Sequence, residues 1–129
     1  MNKFGIGQPV LRDEDIRFIS GKGLYTGDIS LTNQTYMYVL RSNVSNGLIK
    51  SIDIDDALKS SGVINIFLGK DLREAGIKDM PTNFIAKNKD GSDMYTPERP
   101  AIAIDKVRHV GDPIAIIIAE SIEQAKNAS

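Results

Sequence analysis

His109 is the one imidazole in a 129-residue chain that has no cysteine, and it sits in the run Val107-Arg108-His109-Val110-Gly111-Asp112-Pro113. An imidazole works as a general base only beside a nucleophile that an orienting group completes, and neither a thiol nor a Gly-x-Ser-x-Gly elbow is present. Asp53, Asp55 and Asp56 cluster as cation ligands do, but without the glycine and closing glutamate of a calcium loop; clustered aspartates also suit a helix N-terminus. Asp13, Glu14 and Asp15 are read the same way. Gly5-Ile6-Gly7 and Gly21-Lys22-Gly23 lack the third glycine and the helix of a dinucleotide fingerprint, and Gly69-Lys70 lacks the upstream spacing of a phosphate loop. Lys106, between Asp105 and Val107, is placed like a swinging-arm lysine, yet its flanks are not the matched strand repeats that a carrier domain needs. Asn33, Asn43 and Asn127 open glycosylation sequons, which matter only in a secreted protein. The expectation is that no residue here is catalytic, cofactor-binding or metal-ligating.

Composition narrows the field further. Sixteen basic and seventeen acidic residues leave a net charge of −1, no basis for phosphate binding, so no nucleic-acid partner is expected. Without cysteine there are no disulfides, thiolate zinc sites or iron–sulfur ligands. The longest apolar run, Ile114 to Ala119, falls far below the ~20 residues that cross a bilayer. With no basic-plus-apolar leader at the N-terminus, the expected setting is cytoplasmic, with no membrane partner. A length of 129 residues suits one domain that hides roughly two-thirds of its extended surface.

The elements that must position these residues follow from periodicity. Residues 1–29, broken by Gly5, Gly7, Pro9, Gly21, Gly23 and Gly27, read as an arm with apolar anchors Ile6, Val10, Ile16 and Ile19. Tyr36–Ser42 and Leu48–Asp53 alternate as strands that a short turn can join into a hairpin. Asp55 to Gly62 reads as a short helix, Val63–Leu68 as a strand covered on both faces, and Asp71–Glu74 as one more helical turn. Residues 77–100 read as a long loop, a length that in a compact domain often serves binding. Ala101–Ile104 and Lys106–Val110 are short strand candidates, and Ile114–Ala119 is the most buried strand. Ser121-Ile122-Glu123-Gln124 is a capping box opening a helix whose Ile122, Ala125 and Ala128 share a face. The chain ends within that helix, which suggests a piece of something longer. The class is α+β, a mixed β-sheet with two main short helices.

The order of these motifs resembles the N-terminal α/β-hammerhead domain of the large subunit of molybdenum hydroxylases, the family of xanthine dehydrogenase, aldehyde oxidase and carbon monoxide dehydrogenase. Gly7-Gln8-Pro9-Val10 with Arg12, then Gly21-Lys22-Gly23-Leu24-Tyr25 and Asp28-Ile29, are similar to the family's G-x-P-x-x-R and G-x-G-x-Y-x-x-D-I opening. Arg41-Ser42, Ile49, Ile52-Asp53, Ala57, Gly62-Val63, Gly69 and Asp71-Leu72 resemble the middle stretch. Val107 to Ala115 and Ala119-Glu120-Ser121 with Ala125 resemble V-R-Y-V-G-E-P-V-A and A-E-S/T-x-x-x-A. The Val110-Gly111-Asp112-Pro113 form is more like the bacterial carbon monoxide dehydrogenase type. Asn43-Val44-Ser45, Ser60-Ser61 and His109 depart from the family's Pro-His-Ala, Leu-Pro and tyrosine.

The resemblance implies a single hammerhead domain over 1–129, with an arm at 1–29, a loop at 77–100 and the molybdopterin-binding domains beyond. It implies a non-catalytic structural and interface role in an oxidoreductase whose molybdopterin-type cofactor is held elsewhere. The implied partners are the later domains of the large subunit and the iron–sulfur and flavin subunits or domains. A free-standing adapter or carrier-like module with the same fold is the alternative.

Overall fold

The computed structural model describes Gly7 and residues 12–129. They fall into one unit that ends at Gln34 and a second that spans Thr35–Ser129.

In the first unit a single helical turn, α1 (Asp15–Ile19), is followed by a 3₁₀ turn at Thr26–Asp28. The Phe18 ring stacks on Tyr25 with centroids 5.3 Å apart, and the Arg17 guanidinium lies over the Phe18 ring, 5.1 Å from its centroid. Gly23 makes this possible, because a side chain there would run into the Phe18 ring. The Asp28 carboxylate accepts the Tyr25 amide at 2.9 Å and holds the 3₁₀ turn. The described part of the expected arm, residues 12–29, is thus built locally by ring stacking and a capped turn. Of its expected anchors, Ile16 and Ile19 are exposed, while Ile6 and Val10 lie outside the described residues.

The second unit is built on a three-stranded sheet in the order β1 (Tyr36–Arg41), β5 (Pro113–Ala119), β3 (Val63–Leu68). A two-stranded sheet pairs β2 (Gly47–Leu48) with β4 (Lys106–Val107). Every pairing is antiparallel, which corrects the expected mixed sheet. The cause is the position of β5. It inserts between β1 and β3 and runs opposite to both, so the two strands that share a direction never touch.

The hairpin expected between Tyr36–Ser42 and Leu48–Asp53 does not form. Tyr36–Arg41 pairs with β5 instead, and Ser42 carries that pairing into the residues just before β5: the Ser42 amide donates to the Asp112 carbonyl (2.9 Å), and the Gly111 amide donates back to the Ser42 carbonyl (2.8 Å). Past Leu48, Ile49 donates to the Asp105 carbonyl (2.9 Å), and the remaining residues of the expected strand stay unpaired coil. Alternating hydrophobicity marks where an extended chain is half covered; it does not name the neighbour.

Within β5 the alternation separates two faces. Ala115, Ile117 and Ala119 point to one side with Ile66 of β3, and all are buried. The alanines leave room for α4 (Ile122–Asn127), whose Ala125 is fully buried against them. The α2 helix (Asp55–Leu58) contributes Ala57, and Ile54 just before it packs on the same cluster. Besides the two main helices, α3 (Gly69–Glu74) forms where one more helical turn was expected at Asp71–Glu74, and α1 forms as well, each six residues or fewer. Ser121 caps α4 as expected: its hydroxyl accepts the Gln124 amide at 3.2 Å. The reciprocal half of the box is not made, since the Gln124 Oε1 is buried without a partner.

The opposite sheet face carries Met37 and Val39, Ile116 and Ile118, and Phe67. Met37 is 57% exposed and Phe67 37%. Val63–Leu68 was expected to be covered on both faces but is an edge strand, and a register shift between Val63 and Asn65 leaves Ile64 53% exposed. Its apolar run reflects one buried face plus this uncovered one. Among the described residues no helix is long and apolar enough to cross a membrane.

The segment 77–100, expected as a structureless loop, closes on itself. The Met80 amide donates to the Arg99 carbonyl (2.9 Å) at its base, and Lys87 bridges Asp93 near its tip. Between them Asn88, Asp90 and Ser92 form a hydrogen-bonded turn with Gly91 at φ +86°. The Asp90-Gly91 pair is the sequence signal for that turn. The Asp90 carboxyl is held below its ordinary range, first by the Ser92 hydroxyl and then by the Ser92 amide, both of which donate to it.

Candidate functional site

The densest polar construction around a sequence-nominated residue is the corner from Arg108 to Pro113. The chain leaves β4 at Val107 and must turn into β5 at Pro113. Gly111 at φ +90° supplies the left-handed step, which an L side chain adopts only with strain. Asp112 closes the turn from inside: its carboxylate accepts the Arg108 amide at 2.8 Å, and its amide donates to the His109 carbonyl at 3.2 Å.

Strand β1 braces the corner from the side. Arg41 donates from Nη1 to the Gly111 carbonyl at 2.9 Å, beside the two Ser42–corner backbone bonds. Ser42 is buried, and its hydroxyl is fully used: it donates to the Val44 carbonyl (2.8 Å) and accepts the Val44 amide (3.1 Å). A buried hydroxyl with both roles filled fixes the backbone locally. The family-like pair Arg41-Ser42 and the run Val110-Gly111-Asp112-Pro113, distant in sequence, are therefore the two halves of one joint.

A second support comes from the segment 101–104, expected as a strand and found as bent coil with Ile102 and Ala103 buried. The Ala103 amide donates to the Pro113 carbonyl (2.8 Å). Gly69 lies directly against this segment. A Cβ there would stand 2.7 Å from the Ile102 carbonyl oxygen and 2.8 Å from that of Ala103. That glycine, weighed as part of a phosphate loop, serves close packing.

His109 points outward, its side chain 67% exposed, with Nδ1 3.9 Å from the Asp112 carboxylate. That carboxylate is already occupied by the Arg108 amide, so the pair is a turn-bracing acid beside a surface imidazole. The other nominated residues fall elsewhere. The Asp53 carboxylate accepts the Asp55 amide (3.0 Å) at the start of α2, and Asp56 pairs with Lys59 at 3.4 Å in the open. Lys106 lies in β4 opposite Leu48, half-buried, rather than at an exposed tip. Among the described residues, no three His, Cys, Asp or Glu side chains gather as metal ligands.

An open cavity of about 270 Å³ adjoins the corner, between it and the base of the 77–100 excursion. Arg99, Arg108 and His109 line it, together with Met80 and Pro97. Sequence reading did not single out Arg99, and no local pattern marks it, because its place depends on the Met80–Arg99 closure.

Comparison with known proteins adds the wider context. The family model described as "Aldehyde oxidase and xanthine dehydrogenase, a/b hammerhead domain" matches residues 20–129. The 6-hydroxypseudooxynicotine dehydrogenase complex subunit gamma of Paenarthrobacter nicotinovorans is 31% identical over 127 residues, 96% of this chain and 15% of that protein. The nicotine 6-hydroxylase large subunit of the same organism is 33% identical over 125 residues, covering 95% and 14%. The crystal structure of the Cu,Mo-CO dehydrogenase superposes with a TM-score of 0.76 at 30% identity, over 96% of this chain and 14% of that one. The chain thus spans about one-seventh of the relatives it matches. By the family match, the shared fold and these identities, the chain belongs to the aldehyde oxidase and xanthine dehydrogenase family, of which it carries the α/β-hammerhead domain.

Proposed function

We propose that this chain is a non-catalytic structural and interface domain of a cytoplasmic molybdenum-containing oxidoreductase large subunit. The observation that supports this most is the outer face of the three-stranded sheet. Met37, Phe67 and Ile64 are exposed there beside Val39, Ile116 and Ile118, an apolar surface with the makings of a contact layer. The excursion adds Phe84 and Tyr95, 76% and 85% exposed. In this reading residues 1–129 form one hammerhead domain, with 1–29 as an arm and 77–100 as an excursion, and the molybdopterin-binding domains lie beyond them. Its partners are those later domains and the iron–sulfur and flavin subunits or domains.

The parent reaction would be hydroxylation of an aldehyde, purine or similar carbon centre, or oxidation of carbon monoxide. The described residues do not fit a metal centre of their own, so no step of that chemistry is assigned to them. The test is to express the chain alone and assay aldehyde oxidation and molybdopterin binding. Neither is expected, and either one would overturn the assignment.

A further inference from the structure

We propose that the free edge of β1 pairs with the same edge of a second copy of this chain. The pairing joins two three-stranded sheets into one continuous sheet about a two-fold axis at Tyr38. Nothing in it depends on the parent enzyme, since it uses only the chain's own backbone.

The direction of the edge groups follows from β3. Its Ile66 amide donates to Asn65 Oδ1 (2.9 Å) and its Leu68 amide to Asp71 Oδ2 (2.7 Å), so neither donates into the β5 ladder. The β5 residues opposite them, Ile117 and Ala115, therefore turn their N–H and C=O groups the other way, to Tyr38 and Leu40 of β1. By the same alternation the N–H and C=O of Met37 and Val39 point out of the sheet at its β1 edge. Among the described residues no other backbone group takes them. Two donors and two acceptors thus stand in a row along an extended strand.

The two edges of the sheet are built differently, and the difference selects the partner. At β3 a register shift between Val63 and Asn65, with two outward amides taken by side chains, blunts the edge as a template. β1 has no lysine and no proline, and its pairing is regular as far as Leu40. Laid antiparallel on its own copy about Tyr38, it exchanges both bonds of Met37 with Val39 of the second copy, and both bonds of Val39 with that copy's Met37. All four outward groups of each strand are then used. The side chains match too: Tyr38 faces Tyr38 across the close, non-bonded pair, and Met37 meets Val39 on the outer face, the aromatic and apolar pairs that stabilise strand contacts. Because the β3 edge is blunted, growth stops at two copies and the symmetry closes. One strand's edge is a small contact, so the association is weak, in the submillimolar range.

Sedimentation equilibrium of the 129-residue chain is expected to show monomer–dimer exchange at submillimolar concentration. Hydrogen exchange at the Met37 and Val39 amides should slow as the concentration rises. Val39→Pro deletes an edge donor but no β5 bond, and Met37→Lys sets like charges near the axis while leaving the backbone intact. Each should weaken the dimer about tenfold, the scale of a lost edge hydrogen bond. Met37→Lys alters only an exposed side chain, so it carries the test should Val39→Pro fail to fold. Ile64→Lys, on the β3 edge and about as exposed (53% against 57% for Met37), should leave the dimer unchanged. A chain that stays monomeric across this range overturns the pairing. A dimer that survives Val39→Pro and Met37→Lys also overturns it, and its loss in Ile64→Lys would point to outer faces stacked on one another. Assembly beyond two copies overturns it as well, since β3 would then be an open edge.

Discussion

Replacing Gly69 by alanine tests whether close packing, rather than helix propensity, governs the corner's support. Gly69 is the first residue of α3, where alanine on propensity alone stabilises by up to about 1 kcal/mol. The structure predicts the opposite sign. The added Cβ would sit 2.7 and 2.8 Å from two backbone carbonyl oxygens and 2.7 Å from Ile104 Cγ1, closer than carbon atoms approach in folded proteins. Ile104 can rotate away, but the Ile102 and Ala103 carbonyls belong to a buried segment whose Ala103 amide holds Pro113. Overpacking by one methyl costs about 1–3 kcal/mol, and against two backbone oxygens that cannot rotate away the upper part of that range applies, about 2–3 kcal/mol. The net loss is therefore about 1–2 kcal/mol after the propensity gain, equivalent to a Tm lower by roughly 3–10 °C for a chain of this size. Urea and thermal unfolding of Gly69→Ala beside the parent chain measure it directly. Hydrogen exchange at Ala103 should rise in step, because its bond to Pro113 lies in the displaced segment. Unchanged or increased stability would refute the packing argument.

Two further outcomes follow from the same corner and from the excursion. Asp112→Ala removes the acceptor of the Arg108 amide at a side chain only 14% exposed; a loss of about 1–2 kcal/mol is expected in urea unfolding, and Asp112→Asn should recover most of it. An Asp112→Ala variant as stable as the parent would remove the brace from the account. For Asp90, whose folded-state pKa is depressed, the bonds to Ser92 strengthen the turn above the unfolded value of about 3.9 and are lost as pH falls through the lower folded value. The Ser92 amide shift should titrate with a midpoint below 3.9 and go flat in Asp90→Asn; a midpoint at or above 3.9 contradicts the bonding.

What was legible in the sequence was mostly local. Ser121 caps α4, Asp55 and Asp56 open α2, and Ile114–Ala119 is the buried strand, because hydroxyl capping, acidic first turns and branched apolar runs act within a few residues. Partner choice was not legible. Tyr36–Arg41 pairs with β5 rather than with its nearest neighbour in sequence, and Ser42 continues that pairing with Asp112, seventy positions away. Residues 77–100 carry no helix or strand, in keeping with a loop, but their polar, proline-rich composition hides a turn set by Asp90-Gly91 and a closure set by a backbone bond that no side-chain pattern announces. The corner was half visible: its two motifs stood out in the family resemblance, while their meeting did not. Arg99 left no trace at all, since an exposed arginine takes its meaning from its neighbours in space.

The seating of β5 between β1 and β3 also governs how the domain comes into being. Of the three strands it is the last to be synthesised, so β1 must wait through residues 42–119 and β3 through residues 69–119 for the strand that each pairs with. Each of the sheet's two pairings needs β5, so the sheet rests wholly on contacts between segments distant in sequence, the class of contact that slows folding.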